Sequence, residues 1–188
     1  IKGLDTPLAG ILKKAACLGN TFDRQDLALV CDLFAPEIDI LLNMAVQHEL
    51  IAAAQADQKG KPQRFQFVHD DIQLVFYHQI PEKKRAAEHY RIGKMLHSAI
   101  DTGIKDTRFM DAVAQMNLGK GIVSRTREKL SLAKINLAAA RTAKKTAAYH
   151  TALSYAATGI DLVGDRAWQD HYNLTLLLHN EAVQTAFL

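Results

Sequence analysis

Residues 65–81 read FQFVHDDIQLVFYHQIP, and the fold turns on where the period changes inside this stretch. Phe65 and Phe67 alternate with Gln66, the two-residue repeat of a strand that buries one face. From Ile72 onward the apolar residues Ile72, Val75 and Phe76 recur at helical spacing instead. A strand therefore passes almost directly into a helix, and His69, Asp70 and Asp71 occupy the join.

Working outward toward the N-terminus, HELIAAAQ at 48–55 is compatible with a short strand, and DQKGKPQ at 57–63 is a turn built on Gly60 and Pro62. Together with RFQFV at 64–68 this predicts one β-hairpin. Further upstream the period is helical. Leu8, Ile11, Leu12, Ala15 and Leu18 form a stripe that begins at Pro7 and stops at Gly19-Asn20. Asp23, with Asp26 three residues later, resembles an N-cap, and Leu27, Val30, Cys31 and Phe34 continue a second stripe. Pro36 suits a first helical position ahead of Ile38, Leu41, Leu42 and Ala45.

Downstream, Pro81 opens EKKRAAEHYRIGKMLHSA, which runs toward a break at Asp101-Thr102-Gly103. Three helices, a two-stranded wing and a following helix, in that order, give the pattern of a winged-helix domain over residues 1–103. After Gly103 the strand signal ends. Phe109, Val113 and Met116 mark a short helix; Leu130, Ala133, Leu137 and Ala140 a second; Tyr149, Leu153, Ala156, Ile160 and Val163 a third. A fourth is expected from about Trp168 to the end. Alanine dominates these stripes, which permits close antiparallel packing. Residues 104–188 are thus expected to begin a tetratricopeptide-like helical-repeat array. The predicted class is mainly α with a single hairpin.

Composition narrows function by exclusion. The 188 residues are 48% hydrophobic, enough for one sizeable core or two small ones. A net charge of +3, from 23 basic and 20 acidic side chains, is too even to argue for nucleic acid or anionic lipid. No apolar run reaches the roughly 20 residues that span a bilayer, and no secretory leader is evident, so a cytoplasmic location is expected. The chain begins at Ile1 and stops inside an apolar-periodic pattern, which reads as a piece excised from a longer protein. Cys17 and Cys31 are expected to be buried free thiols in neighbouring helices.

The order AACLGNTFD (15–23), LLNMAVQHELI (41–51), FQFVHDDIQLVFYHQIP (65–81), RIGKMLH (91–97) and INLAAARTAKKTAAYHTALSYAATGIDL (135–162) resembles one region of large bacterial signalling proteins. These join a serine/threonine-kinase-like domain, a predicted ATPase of the STAND class and a sensor histidine kinase. The resemblance implies a winged-helix lid following a nucleotide-binding core, leading into tetratricopeptide-like helices that serve as a protein-interaction scaffold. STAND proteins often carry an apolar-His-Asp motif after the wing, whose histidine contacts the β-phosphate of ADP. Val68-His69-Asp70 stands in that place, so the resemblance implies an ADP latch at His69 and Asp70, with ADP or ATP held by the parent protein. No G-x-x-x-x-G-K-[ST] loop exists: Gly60-Lys61 and Gly119-Lys120 both lack the glycine five residues earlier. This segment alone is expected to bind no cofactor.

On the residues alone, His69-Asp70-Asp71 admits three readings. The first is a partly buried histidine at a helix start whose aspartates sit in the helix's positive field. The second is the phosphate contact, since imidazole is a switchable donor. The third is the metal site of an HD-type phosphohydrolase, with His48, His69-Asp70 and Asp111 as ligands. A DNA-binding winged helix is a further alternative, resting on the basic turn Lys59, Lys61 and Arg64. Its third helix, however, carries Glu37, Asp39 and Glu49 and no Lys or Arg.

Between Lys120 and His150 eight basic residues (Lys120, Arg125, Arg127, Lys129, Lys134, Arg141, Lys144, Lys145) accompany one acid, Glu128. They form either a solvated face or a docking surface for an acidic domain. No nucleophile-base or paired-carboxylate arrangement stands out, so no enzymatic activity, nucleic-acid partner or membrane partner is expected. The apolar residues Leu176, Leu177, Ala182, Ala186 and Phe187 predict an exposed patch that pairs two copies.

Overall fold

The computed structural model describes residues 6–57, 60, 62–100 and 107–187. The chain is mainly helical with a small three-stranded antiparallel sheet. Its packing divides it into two compact units that part between Leu96 and His97. The break expected at Thr102-Gly103 lies outside the described residues.

The first unit contains α1 (Thr6–Leu18), β1 (Thr21–Asp23), α2 (Arg24–Cys31), α3 (Ala35–Gln47), β2 (Ile51–Ala56), β3 (Pro62–Phe67) and α4 (Asp70–His78). α5 (Glu82–Ser98) begins in it, and the division falls in its last turn. The helical stripes do what their spacing dictates: Leu8, Ile11, Leu12 and Ala15 of α1, Leu27 and Val30 of α2, and Ile38, Leu42 and Ala45 of α3 are all buried. Phe34 departs from the second stripe. α2 stops at Cys31 because Asp32 takes a left-handed conformation (φ 55°), and Phe34, now ahead of α3, is 80% exposed.

The hairpin forms as expected, with Pro62 tolerated as the first residue of β3, where a missing N–H costs least. The single-hairpin expectation is corrected by β1, which pairs antiparallel with β3 and makes β3 the central strand of the order β1-β3-β2. Three residues are too few to show alternation. What holds them is Phe22, which lies opposite Phe65 in register and packs on Phe65 and Phe67 at ring-centroid distances of 6.2 and 5.7 Å. Phe76 of α4 continues this aromatic core, 6.4 Å from Phe67. Asp23 does not cap α2 with its side chain; the carboxylate instead accepts from Arg64 Nη2 at 3.3 Å, directly across the β1–β3 pair.

The second unit, among its described residues, is wholly helical: α6 (Thr107–Leu118), a 3₁₀ turn at Lys120–Ile122, α7 (Thr126–Lys145), α8 (Tyr149–Val163), α9 (Ala167–Asp170) and α10 (Tyr172–Ala186). α7 packs on α8 and α8 on α10, with α6 against α7. The contact faces are built from small side chains: Ala133, Ala139, Ala140 and Ala143 of α7 meet a helix whose own buried residues are Ala152, Ala156, Gly159 and Leu162. The single last helix expected from Trp168 is two, broken at His171 (φ −141°, ψ 41°). Thr175 Oγ1 donates back to the His171 carbonyl at 3.0 Å, so a side chain partners the start of α10. Among the described residues, no helix is long and apolar enough to cross a membrane.

Candidate functional site

The junction between β3 and α4 is built from both sides. Phe67 anchors the strand end in the core, and Phe76 does the same for the helix. On the adjacent face Gln73 Nε2 donates to the Ala16 carbonyl of α1 at 3.0 Å, fixing the rotation of α4. His69 sits between these anchors in extended conformation (φ −139°, ψ 144°) as the residue preceding the helix. Its carbonyl accepts from the Ile72 and Gln73 amides at 3.0 and 3.5 Å, while its imidazole makes no capping hydrogen bond. The backbone of His69 therefore starts the helix without its imidazole.

His69, Asp70 and Asp71 are all exposed, which corrects the expectation of a partly buried histidine. Neither aspartate is the cap; both lie in the first turn of α4, where the helix's positive end favours their charge. Chemically the junction offers one exposed imidazole, able to donate or accept, beside two carboxylates.

The metal ligands considered from the sequence are divided between the two units. His48 is exposed at the C-terminal end of α3, and Asp111 lies on α6 in the second unit. Among the described residues no three His, Cys, Asp or Glu side chains cluster as a metal ion requires. Of the basic turn, Lys59 and Lys61 lie outside the described residues, and Arg64 is engaged with Asp23. Asp39 of α3 holds the buried guanidinium of Arg24, whose Nη2 also donates to the Ala35 carbonyl at 3.2 Å. The side-chain hydrogen bond to Asp39 keeps Arg24 more firmly protonated than usual.

The basic segment after Lys120 is partly absorbed within its own unit. Lys120 reaches Asp161 at 3.5 Å, and Arg141 and Lys144 converge on Glu181, a carboxylate buried on α10. Sequence reading missed this pairing because Glu181 lies 40 positions from Arg141. Burial pushes the Cys17 thiol up to about 12 and the Cys31 thiol up to about 11, so neither is a ready nucleophile. Cys31 is only half-buried, less than its apolar neighbours suggest. Of the predicted patch, Leu176 is 36%, Leu177 42% and Phe187 87% exposed, while Ala182 is half-buried.

Comparison of the chain with protein-family models, with curated proteins and with solved structures returned no match.

Proposed function

We propose that this chain is a non-catalytic regulatory segment of a bacterial STAND-type signalling protein that also carries kinase domains. In this reading the first unit is a winged-helix lid on a nucleotide-binding core supplied by the same parent chain. The second begins a tetratricopeptide-like array that contacts other protein domains. One observation carries the reading: the His69 imidazole is exposed at the sheet-to-helix junction and is not consumed by capping.

An exposed, positioned N–H donor fits a phosphate oxygen presented by an adjoining domain. Asp70 and Asp71, whose charges would repel phosphate, strengthen the helix start in this scheme, and the phosphate contact is that of His69 alone. ADP is held by the core, and this chain contributes a latch. Against a DNA-reading role, α3 bears Glu37, an Asp39 committed to Arg24, and no Lys or Arg.

The test is ADP dissociation from the longer parent chain, with and without His69→Ala. Loss of one charge-assisted contact, worth about 1.5–3 kcal/mol, should weaken ADP retention roughly tenfold to a hundredfold and raise basal signalling. Unchanged release would refute the latch.

A further inference from the structure

We propose that the groove between α1 and the start of α5 binds a small phosphate-type polyanion of about the size of pyrophosphate. Gly10, Lys13 and Lys14 share one face of α1 and line this groove together with Ile80, Lys84 and Glu88, enclosing about 260 Å³. That volume lies below the roughly 300–1,000 Å³ of sites for larger organic ligands, and it suits a compact anion.

The charge in the groove is uncompensated. Its one acidic lining residue, Glu88, is gripped by Arg91, with Nη2 to Oε1 at 2.6 Å and Nε to Oε2 at 3.3 Å. This pair is neutral as a unit, and Arg91 is further tied to the Val30 carbonyl at 3.2 Å. The side-chain amines of Lys13, Lys14 and Lys84 make no hydrogen bond or ion pair among the described residues; Lys14 acts on Glu88 through space. Three lysine charges thus face one concavity with an apolar floor at Ile80, which is buried.

A single carboxylate would leave most of that charge unmatched, whereas a diphosphate answers it with several negative oxygens, and lysines bind phosphate as point charges. The groove also ends at the first turn of α5, whose 17 residues add the field of a helix N-terminus. Residue 10 is a glycine that lines an open part of this groove. A Cβ there would meet nothing within 4 Å, so the space belongs to the groove and not to the core.

This inference is independent of the latch, because the groove adjoins Gln79–Pro81 at the end of α4, opposite His69. The test is calorimetric titration of the 188-residue chain with sodium pyrophosphate at fixed ionic strength. One saturable site is expected, with each of Lys13→Gln, Lys14→Gln and Lys84→Gln weakening it at least threefold. Gly10→Leu should weaken it at least tenfold by filling the groove at unchanged charge, in a helix that leucine suits better than glycine.

Lys145→Gln, on α7 and outside the groove, should bind as the unaltered chain does. ADP binding as tightly as pyrophosphate would identify a nucleotide diphosphate as the source of the anion. ADP failing where pyrophosphate binds would identify the free inorganic ion. Absence of saturable binding, equal binding of sulfate at the same ionic strength, or undiminished binding by Gly10→Leu would overturn the assignment.

Discussion

The side-chain amides of Asn117 and Asn136 exchange hydrogen bonds in both directions, at 2.8 and 2.9 Å, and so join α6 to α7. Asn136 is fully buried, and its Nδ2 also donates to the Leu132 carbonyl at 3.0 Å. Asn117 is only half-buried. Removing the more exposed partner strands the more buried one: in Asn117→Ala the Oδ1 of Asn136 loses its donor without access to water. The expected cost is about 1–3 kcal/mol in urea unfolding, although a half-exposed residue would ordinarily be tolerant. Replacing both by leucine should recover most of it, because no polar atom is then left unpaired. An Asn117→Ala change within about 0.5 kcal/mol would show that the pair is not what holds α6.

Gly159 of α8 packs directly against Leu178 of α10. A Cβ built there would lie 2.4 Å from Leu178 Cδ2 and 3.5 Å from the Ala133 carbonyl of α7. Leu178 is fully buried and has little room to turn away. Gly159→Ala is therefore expected to destabilise by about 1–3 kcal/mol through overpacking, despite alanine's better helix propensity. Adding Leu178→Ala should give a double mutant more stable than the sum of the single effects, a coupling readable from a thermodynamic cycle.

Cys17 links stability to alkaline pH. Its thiol titrates near 9 when unfolded and about 12 when folded, chiefly because burial disfavours the thiolate. The folded pKa is the higher of the two, so this contribution is intact below pH 9 and lost as pH rises from about 9 toward 12. Stability should fall over that window, and Cys17→Ala should flatten the fall. Below pH 9 the thiol should react with alkylating reagents only at the rate of unfolding. Rapid labelling of Cys17 in the folded chain would contradict this.

His69→Ala bears on the oldest ambiguity in the sequence, capping against contact. Because the imidazole is exposed and makes no capping bond, the substitution should change the thermal stability of this chain by less than about 0.5 kcal/mol. A loss near 1 kcal/mol, the worth of a true cap, would return the histidine to a structural role.

How much of this was legible in the sequence depends on the range of the interaction concerned. The helical stripes of α1, α3, α6 and α7, the hairpin, and the shift from period two to helical spacing between Phe67 and Ile72 all follow from residues within about a turn or a strand of one another. Local periodicity determines them, because a chain buries an apolar face only by adopting the geometry that gathers it. Tertiary structure decided what depends on partners distant in sequence. β1 exists because Phe22 meets Phe65 across 43 positions (65 less 22). Asp23 gives up its cap to pair with Arg64, and Glu181 neutralises basic charges on α7 that read as a free face.

The candidate sites divide the same way. His69 was singled out by its neighbours in the chain, yet its exposure was settled by how Phe76 and Gln73 fix α4. Lys13-Lys14 and Lys83-Lys84 are basic doublets that nothing in the neighbouring sequence singles out. Only packing brought Lys13, Lys14 and Lys84 around one groove, because periodicity specifies which face of a helix is buried and leaves the neighbour of the other face to the fold.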